Sequence, residues 1–263
     1  MQTKFSKKEL ERLNCSPEEI ALVMDYQKRF PIILDNEDNI EKFCINARDL
    51  YKEIIQSDDT SNFSRWIKRA IKNYGFTENV DFSMVSPIGR IKEFASGGDT
   101  RSVDYTLSVD MSKQLGMIDK KEAGFLTRRY FILMEDIVAR NKEWLSIRDP
   151  EKEEYKKMSA EVDAWCFRIW HRHASRSEYA VEADMLNTIV TGKTSQQLKY
   201  EYGVVSNDLI RDYLKKEHNE ELLFLEQQNQ VLLLMDMGFT ERKNMLTKMH
   251  EVKFKSTEKV VVA

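Results

Sequence analysis

The sequence predicts a mostly α-helical protein in two parts: a small α+β N-terminal domain, in which a short β meander packs on helices, and an all-helical C-terminal domain. Three observations support this class. Only 9 Gly and 4 Pro occur among 263 residues, few for the many turns of an all-β sandwich or barrel. Apolar residues recur at helical spacing over much of the chain. Short β-like runs are confined to the first half.

The N-terminal elements follow from caps and turn residues. Ser16 and Pro17 predict a helix that begins at residue 17 and ends at about residue 29. Residues 31–34 and 40–45 read as two short strands around a polar turn, and Asn46 as the cap of a helix over 47–55. Further β-like pieces lie at 82–85, 90–95 and 103–107, with a turn at 97–99. Helices are predicted over 109–117 and 120–143.

From residue 159 onward almost all of the chain is helical in period. Three residues organise it: Ser206 as a cap, Gly238 as the glycine that ends a helix over 222–237, and Thr240 as the cap of a last helix to about residue 252. The predicted domains are an N-terminal helical extension, an α+β domain, a charged linker or connecting helix containing Pro150, a helical domain and a flexible tail. Their bounds are 1–30, 31–140, 141–157, 158–252 and 253–263.

Composition narrows the functional class. The 41 basic and 44 acidic residues leave a formal net charge of −3, which excludes a polybasic nucleic-acid coat and an acidic tail. No apolar run approaches the roughly 18–20 residues that span a bilayer, and residues 1–12 show no secretory signal. Three widely spaced cysteines do not form a disulfide framework. We therefore expect a cytoplasmic protein that does not engage a membrane.

No motif predicts an enzyme, a cofactor or a metal site. The run Gly192-Lys193-Thr194 lacks the glycine that a phosphate loop needs, because position 187 is Asn, and it is interpreted as a turn between helices. His171 and His173 stand two residues apart and so point to different sides of a helix. The same spacing separates Glu182 from Asp184, which are not expected to share a site.

The helix over residues 62–74 is the main candidate binding element. An apolar stripe at helical spacing predicts a face packed in the core; its members are Phe63, Trp66, Ile67, Ala70, Ile71 and Tyr74. A second stripe, about 200° away, presents four cations without an acid: Arg65, Lys68, Arg69 and Lys72.

Such a face suits a DNA-recognition helix or a contact with phosphates. A merely solvated face is the equally weighted alternative. Two further pairs would extend the patch if they fold alongside it: Arg90 with Lys92, and Arg128 with Arg129.

An ordered set of motifs resembles a known family. The set comprises Ile45-Asn-Ala-Arg-Asp-Leu50, Phe63-Ser-Arg-Trp-Ile67, Tyr74-Gly-Phe76, Glu78-Asn79, Asp81-Phe82, Asp104-Tyr105, Leu107-Ser-Val-Asp-Met111 and Arg128-Arg-Tyr-Phe131. Over about residues 43–137 it resembles the phage antirepressors of the AntA/AntB type. The resemblance implies a phage or prophage regulator that relieves repression of lytic genes in the cytoplasm of a bacterial host.

The C-terminal half carries a second resemblance, over residues 178–246. Its motifs are Glu178-Tyr-Ala-Val-Glu-Ala-Asp-Met-Leu-Asn187, Gly192-Lys-Thr194, Ile210-Arg-Asp-Tyr213 and Glu241-Arg242. They are similar to the part that follows KilA-N domains in phage proteins. This resemblance implies a helical module and no chemistry.

Two modes of action remain open from the sequence. The chain binds a repressor protein, as its neutral charge favours, or it binds operator DNA through the basic helix as a sequence-specific regulator. The apolar residues Leu222, Leu223 and Leu225, the run 231–235, and Met245, Leu246 and Met249 exceed one helix face. They predict a homodimer formed through the C-terminal helices.

Overall fold

The computed structural model describes residues 4–85, 103–205 and 208–255. The chain divides into two compact units: unit 1 is Met1–Lys7 with Cys15–Ile137, and unit 2 is Lys8–Asn14 with Val138–Ala263. The structure is 72% helical, and its small sheet lies in unit 1. The predicted fold class is thereby confirmed.

Unit 1 contains short helices, a three-stranded sheet and the start of a long helix. Its elements are α2 (Pro17–Arg29), α3 (Pro31–Asp35), β1 (Ile45–Asn46), α4 (Ala47–Ile55), α5 (Phe63–Tyr74), β2 (Phe82–Val85), β3 (Asp104–Leu107), α6 (Val109–Ile118) and the first part of α7 (Glu122–Trp170). The sheet is antiparallel in the order β1-β3-β2, so that Leu107 lies opposite both Ile45 and Phe82.

The core of unit 1 joins α2 to the start of α7. The rings of Tyr26 and Tyr130 stack with their centroids 3.7 Å apart, and Phe30 lies 5.0 Å from Tyr26. All three residues are buried. The predicted Ser16 cap of α2 is present and forms part of a capping box, because the Ser16 hydroxyl accepts from the Glu19 N–H while the Glu19 carboxylate accepts from the Ser16 N–H.

Two predicted strands in unit 1 are wrong. Residues 31–34 lie in α3, where Pro31 occupies the first helical turn and the adjacent residues Ile33 and Leu34 are both buried. Residues 40–44 form no strand: Ile40 is fully exposed, and only Ile45 and Asn46 pair with β3. An apolar run of four to six residues does not distinguish a strand from a helical turn. The predicted pieces at 90–95 and 97–99 lie outside the described residues.

Helix α7 is longer than predicted. It runs without interruption from Glu122 to Trp170 through the charged stretch 141–157, with Pro150 inside it. The predicted helix over 120–143 is therefore only its first part. Proline removes one intrahelical hydrogen bond, but the exposed position of Pro150 leaves its ring in solvent.

In its described part, unit 2 contains helices and their connecting turns and no strand. Helix α1 (Lys7–Arg12) belongs to this unit except for its first residue, which is assigned to unit 1. The other elements are the second part of α7, α8 (Arg176–Thr191), α9 (Ser195–Glu201), a short 3₁₀ helix (Ile210–Tyr213), α10 (Lys216–Leu234), α11 (Phe239–His250) and a π-helical turn (Glu251–Lys255). Its apolar core is built mainly from Met158, Met185, Leu186, Leu198, Leu214, Leu222, Leu225 and Leu246. No helix of the described residues is long and apolar enough to cross a bilayer.

Of the two glycines in unit 2 with predicted roles, Gly192 confirms its prediction and Gly238 does not. Gly192 lies in the turn between α8 and α9 with φ +77°, as the interpretation of Gly192-Lys193-Thr194 as an interhelical turn requires. Gly238 does not end α10. That helix ends at Leu234, Asp236 takes the positive φ of 56°, and Gly238 is the N-cap of α11, so Thr240 is already helical. Ser206 lies outside the described residues.

Candidate partner-binding surface on helix α5

Helix α5 is held at its C-terminal end by its backbone. Gly75 follows the helix with φ +73°, and its N–H donates to the Ile71 carbonyl at 3.1 Å. A side chain at this φ would be strained, so glycine suits the position. At the other end, the Asn62 side chain makes no capping hydrogen bond. Burial of the apolar side therefore positions this helix more than its N-terminal cap does.

The apolar side of α5 is packed to different depths along its length. Phe63, Ile67 and Ala70 are buried, as expected. Phe63 lies between the rings of Tyr51 and Tyr105, with centroids 5.8 and 6.5 Å away. The guanidinium of Arg48 lies 4.4 Å from the centroid of the same ring.

Three residues assigned to the core are less buried than predicted. Trp66 and Ile71 are only partly buried, and Tyr74 is 50% exposed. Tyr74 lies within about 20° of Phe63 around the helix, so its angular position is correct. Its exposure shows that the core ends before the last turn of α5, which spacing alone does not reveal.

The opposite side of α5 presents four cations that have no partner among the described residues. Arg65, Lys68, Arg69 and Lys72 are all exposed. Within the described part of the chain, none of them forms a hydrogen bond or an ion pair through its charged group. By contrast, the neighbouring helix α4 binds its cations internally: Arg48 pairs with Asp104, and Lys52 lies 3.9 Å from Asp58. The four charges of α5 are therefore available to a partner.

The other predicted cations are in different situations. Arg128 donates to the carbonyls of Met117 and Asp119, the second at 3.2 Å, and so holds the C-terminal end of α6. That turn is tight, because a Cβ at Gly124 would lie 1.7 Å from the Asp119 oxygen. The Arg129 guanidinium is exposed and lies 5.5 Å from the Phe125 ring centroid. Arg90 and Lys92 lie outside the described residues, and the extended patch stays a prediction.

Sequence reasoning missed two buried charge networks in unit 2. The Arg242 guanidinium binds the Glu182 carboxylate at 2.6 and 2.7 Å and the Asn229 amide oxygen at 2.7 Å. Arg211 bridges Glu151 and Glu226, and Arg148 binds Glu151 and Asp212. Arg211 is 60 residues from Glu151 and 15 residues from Glu226 in the sequence, so no short-range spacing reveals these pairs.

The two acids set aside above and His173 have structural partners. Asp184 accepts from the Ser195 N–H at 2.7 Å, whereas Glu182 faces Arg242, so the two acids point to different places as predicted. His173 Nδ1 lies 2.8 Å from the Asp163 carboxylate. Among the described residues, no three His, Cys, Asp or Glu side chains are grouped as a metal site requires.

Comparison with known proteins finds a family match in the N-terminal part of the chain. Residues 45–121 match the model of the family described as AntA/AntB antirepressor, which is less than a third of the chain. No curated protein and no solved structure matches. The matched segment includes β1, α4, α5 and the described strands of the sheet. The resemblance to the AntA/AntB antirepressor family is therefore confirmed over residues 45–121, and it supports an antirepressor role for this chain.

Proposed function

We propose that this chain is a phage or prophage antirepressor that acts in the bacterial cytoplasm and relieves repression of lytic genes by binding a repressor protein. The observation that carries the proposal is the family match over residues 45–121. The function is regulatory: the chain acts by occupying a partner, not by catalysing a reaction.

The contact surface in this proposal is the cationic side of α5. Its four charges lie inside the matched segment, are exposed, and have no acidic partner among the described residues. A charged patch on a rigid, core-anchored helix accelerates encounter with a surface of opposite sign. The proposed repressor therefore presents an acidic patch to α5.

Isolation of the partner tests this function directly. The tagged chain is used to recover proteins from an extract of the lysogen, and the recovered repressor is then purified and titrated. Lys68→Ala combined with Lys72→Ala should slow association roughly tenfold, because encounter depends on charge. The double variant Lys120→Ala with Lys121→Ala removes two exposed charges elsewhere in unit 1 and should leave the rate unchanged. Failure of the purified repressor to bind the chain would refute the proposal.

A second candidate function is direct binding of operator DNA through α5. The same exposed cations favour it, since phosphate contacts supply most of the non-specific affinity of DNA-binding proteins. Gel-shift titrations at two salt concentrations distinguish the candidates. DNA binding predicts a log–log slope that grows by about 0.9 per phosphate contact and falls by about one when Lys68 or Lys72 is replaced by Ala. Repressor binding alone predicts no shift of the DNA.

Self-association through the C-terminal helices is a further part of the proposal. Leu222, Leu225 and Leu246 are buried inside unit 2 and do not face a second copy. The end of α10, however, exposes Val231, Leu234 and the adjacent Met235. This apolar end of α10 is the proposed dimer contact, and a two-fold arrangement would bring it against its own copy.

A further inference from the structure

Two buried carboxyl groups of unit 2 meet at a single nitrogen atom. Glu151 on α7 and Glu226 on α10 are both fully buried. The Nη1 atom of Arg211 donates to one oxygen of each, so these two oxygens lie within two hydrogen-bond lengths, about 6 Å, of each other. Two negative charges at that separation in a buried site repel strongly, and such carboxyl pairs commonly keep one proton.

The two carboxyl groups are unequally paired. Both oxygens of Glu151 accept hydrogen bonds, one from Arg148 and one from Arg211. Glu226 shares the Arg211 donor, and its Oε2 is buried without a hydrogen-bond donor among the described residues. An ionised oxygen in that position has lost its hydration without compensation. Glu226 is therefore the member of the pair that gains more from protonation.

Three elements supply the other charged groups around this pair. They are Arg148 and Lys152 on α7, Arg211 and Asp212 on the 3₁₀ helix, and Arg12 on α1. Asp212 engages three of the four cations: its carboxylate binds Arg148 and lies 3.2 Å from Lys152, and its carbonyl accepts from Arg12 at 2.7 Å. Within the described residues, Arg211 is the cation that contacts Glu226 directly, and it is shared with Glu151.

We propose that Glu151 and Glu226 hold one proton between them in the folded chain at neutral pH, as an O–H of Glu226 that donates to Glu151. The proton is taken from solvent when unit 2 folds. It replaces a repulsion between α7 and α10 by a hydrogen bond, so the contact between these two helices depends on pH.

The electrostatics of Glu226 agree with this geometry. Burial raises its pKa to about 8, the charge of Arg211 lowers it in part, and the charge of Glu151 adds to the increase. Because this folded-state pKa lies above the unfolded value of about 4.3, the folded state binds the proton more tightly. The stability that the proton contributes is fully present below about pH 4.3 and is lost as the pH rises through about 8.

Infrared spectroscopy of the full chain detects the proton directly, because a protonated carboxyl absorbs apart from an ionised one. The parent chain for this experiment carries Glu53→Gln, since burial raises the pKa of Glu53 to about 7 and its carboxyl would add to the signal. The band of one protonated carboxyl should be present at pH 7 and absent at pH 10, and Glu226→Gln should remove it. Glu154→Gln, which deletes a carboxylate of α7 that binds Lys157, should keep the band. Absence of the band from the parent chain at pH 7 overturns the proposal.

Glu151→Gln separates a shared proton from one that is held by burial alone. The variant removes the second negative charge and leaves the Arg211 donor to Glu226. If the proton is shared, the pH at which the band disappears should fall by about one unit or more. A band that disappears at the same pH as in the parent chain overturns the sharing.

Urea denaturation measures the same proton through its linkage to folding. At pH 7, folding of the parent chain should take up about one proton more than folding of Glu226→Gln, so its denaturation midpoint should fall more steeply with rising pH. Parallel declines in the two chains overturn the proposal. Thermal melting shows whether the variants fold. If they do not, the parent chain decides: one protonated-carboxyl band that titrates near pH 8 supports the proposal, and its absence overturns it. None of these results depends on antirepressor activity.

Discussion

Phe63 and Trp66 share the apolar side of α5 but differ in burial. Phe63 is fully enclosed, whereas the Trp66 ring is partly exposed beside Tyr51, 5.0 Å away between centroids. Phe63→Ala should therefore lower the free energy of unfolding by about 3–5 kcal/mol, and Trp66→Ala by less. Urea denaturation of the two variants measures the difference. An equal or larger loss for Trp66→Ala would show that the core extends further toward Trp66 than the structure indicates.

Glu53 gives unit 1 a pH-dependent stability. Burial raises its pKa to about 7, a hydrogen bond from the Ile32 N–H lowers it in part, and the charges of Asp35 and Asp49 add to the increase. The folded-state pKa lies above the unfolded value of about 4.3, so the folded state binds the proton more tightly. The resulting stability is fully present below about pH 4.3 and is lost as the pH rises through about 7.

Glu53→Gln tests this linkage. The neutral amide should make the protein more stable than the native chain at pH 8, and it should flatten the decline in unfolding free energy between pH 5 and pH 8. Urea titrations at the two pH values provide the measurement. Asp58→Asn, which removes a charge from a fully exposed position of the same unit, is the control. A decline of the same size in Glu53→Gln and in the native chain would assign the pH dependence to other groups.

At the scale of elements, the sequence predicts α5 well because several local signals agree there. The apolar stripe, the cationic stripe and Gly75 all indicate the same helix, which the structure bounds at Phe63 and Tyr74. Residues 31–34 offer only Pro31 and three apolar neighbours, a pattern that fits either a strand or a helical turn. Packing against neighbouring elements determines which of the two forms, and a local sequence pattern carries no information about that packing.

Burial within the candidate site is predictable only in part. The exposure of the four α5 cations follows from their angular position, because an uncompensated charge is costly in a core. The exposure of Tyr74 does not follow, since it depends on where the core ends.

Pro150 weakens α7 locally while the helix continues through it. Its ring is exposed, so replacement removes little packing. Pro150→Ala should restore a backbone donor inside the helix and raise the free energy of unfolding by about 1–3 kcal/mol. Chemical denaturation gives the value, and Asp149→Ala, at the exposed neighbouring position, controls for the gain in helix propensity. A loss of stability in Pro150→Ala would mean that the proline is needed for the course of α7.

At the scale of the whole molecule, the proposed dimer rests on the exposed end of α10. Leu234 is 62% exposed, so Leu234→Glu should leave the fold of unit 2 unchanged while placing a charge in the contact. Light scattering should report twice the chain mass for the native protein and a single chain mass for the variant. Ile132→Glu changes an apolar residue of unit 1 that is 72% exposed and should leave the dimer intact. A native protein that remains monomeric at high concentration contradicts the proposal.

Release of phage from a lysogen that carries the corresponding prophage tests the central claim most directly. The native chain, the Lys68→Ala/Lys72→Ala variant and the Lys120→Ala/Lys121→Ala control are expressed to equal levels, and infectious particles are counted. An antirepressor that acts through α5 predicts strong release with the native chain and with the control, and little release with the α5 variant. No release with the native chain would contradict the antirepressor function, and full release with the α5 variant would contradict the role of its cationic side.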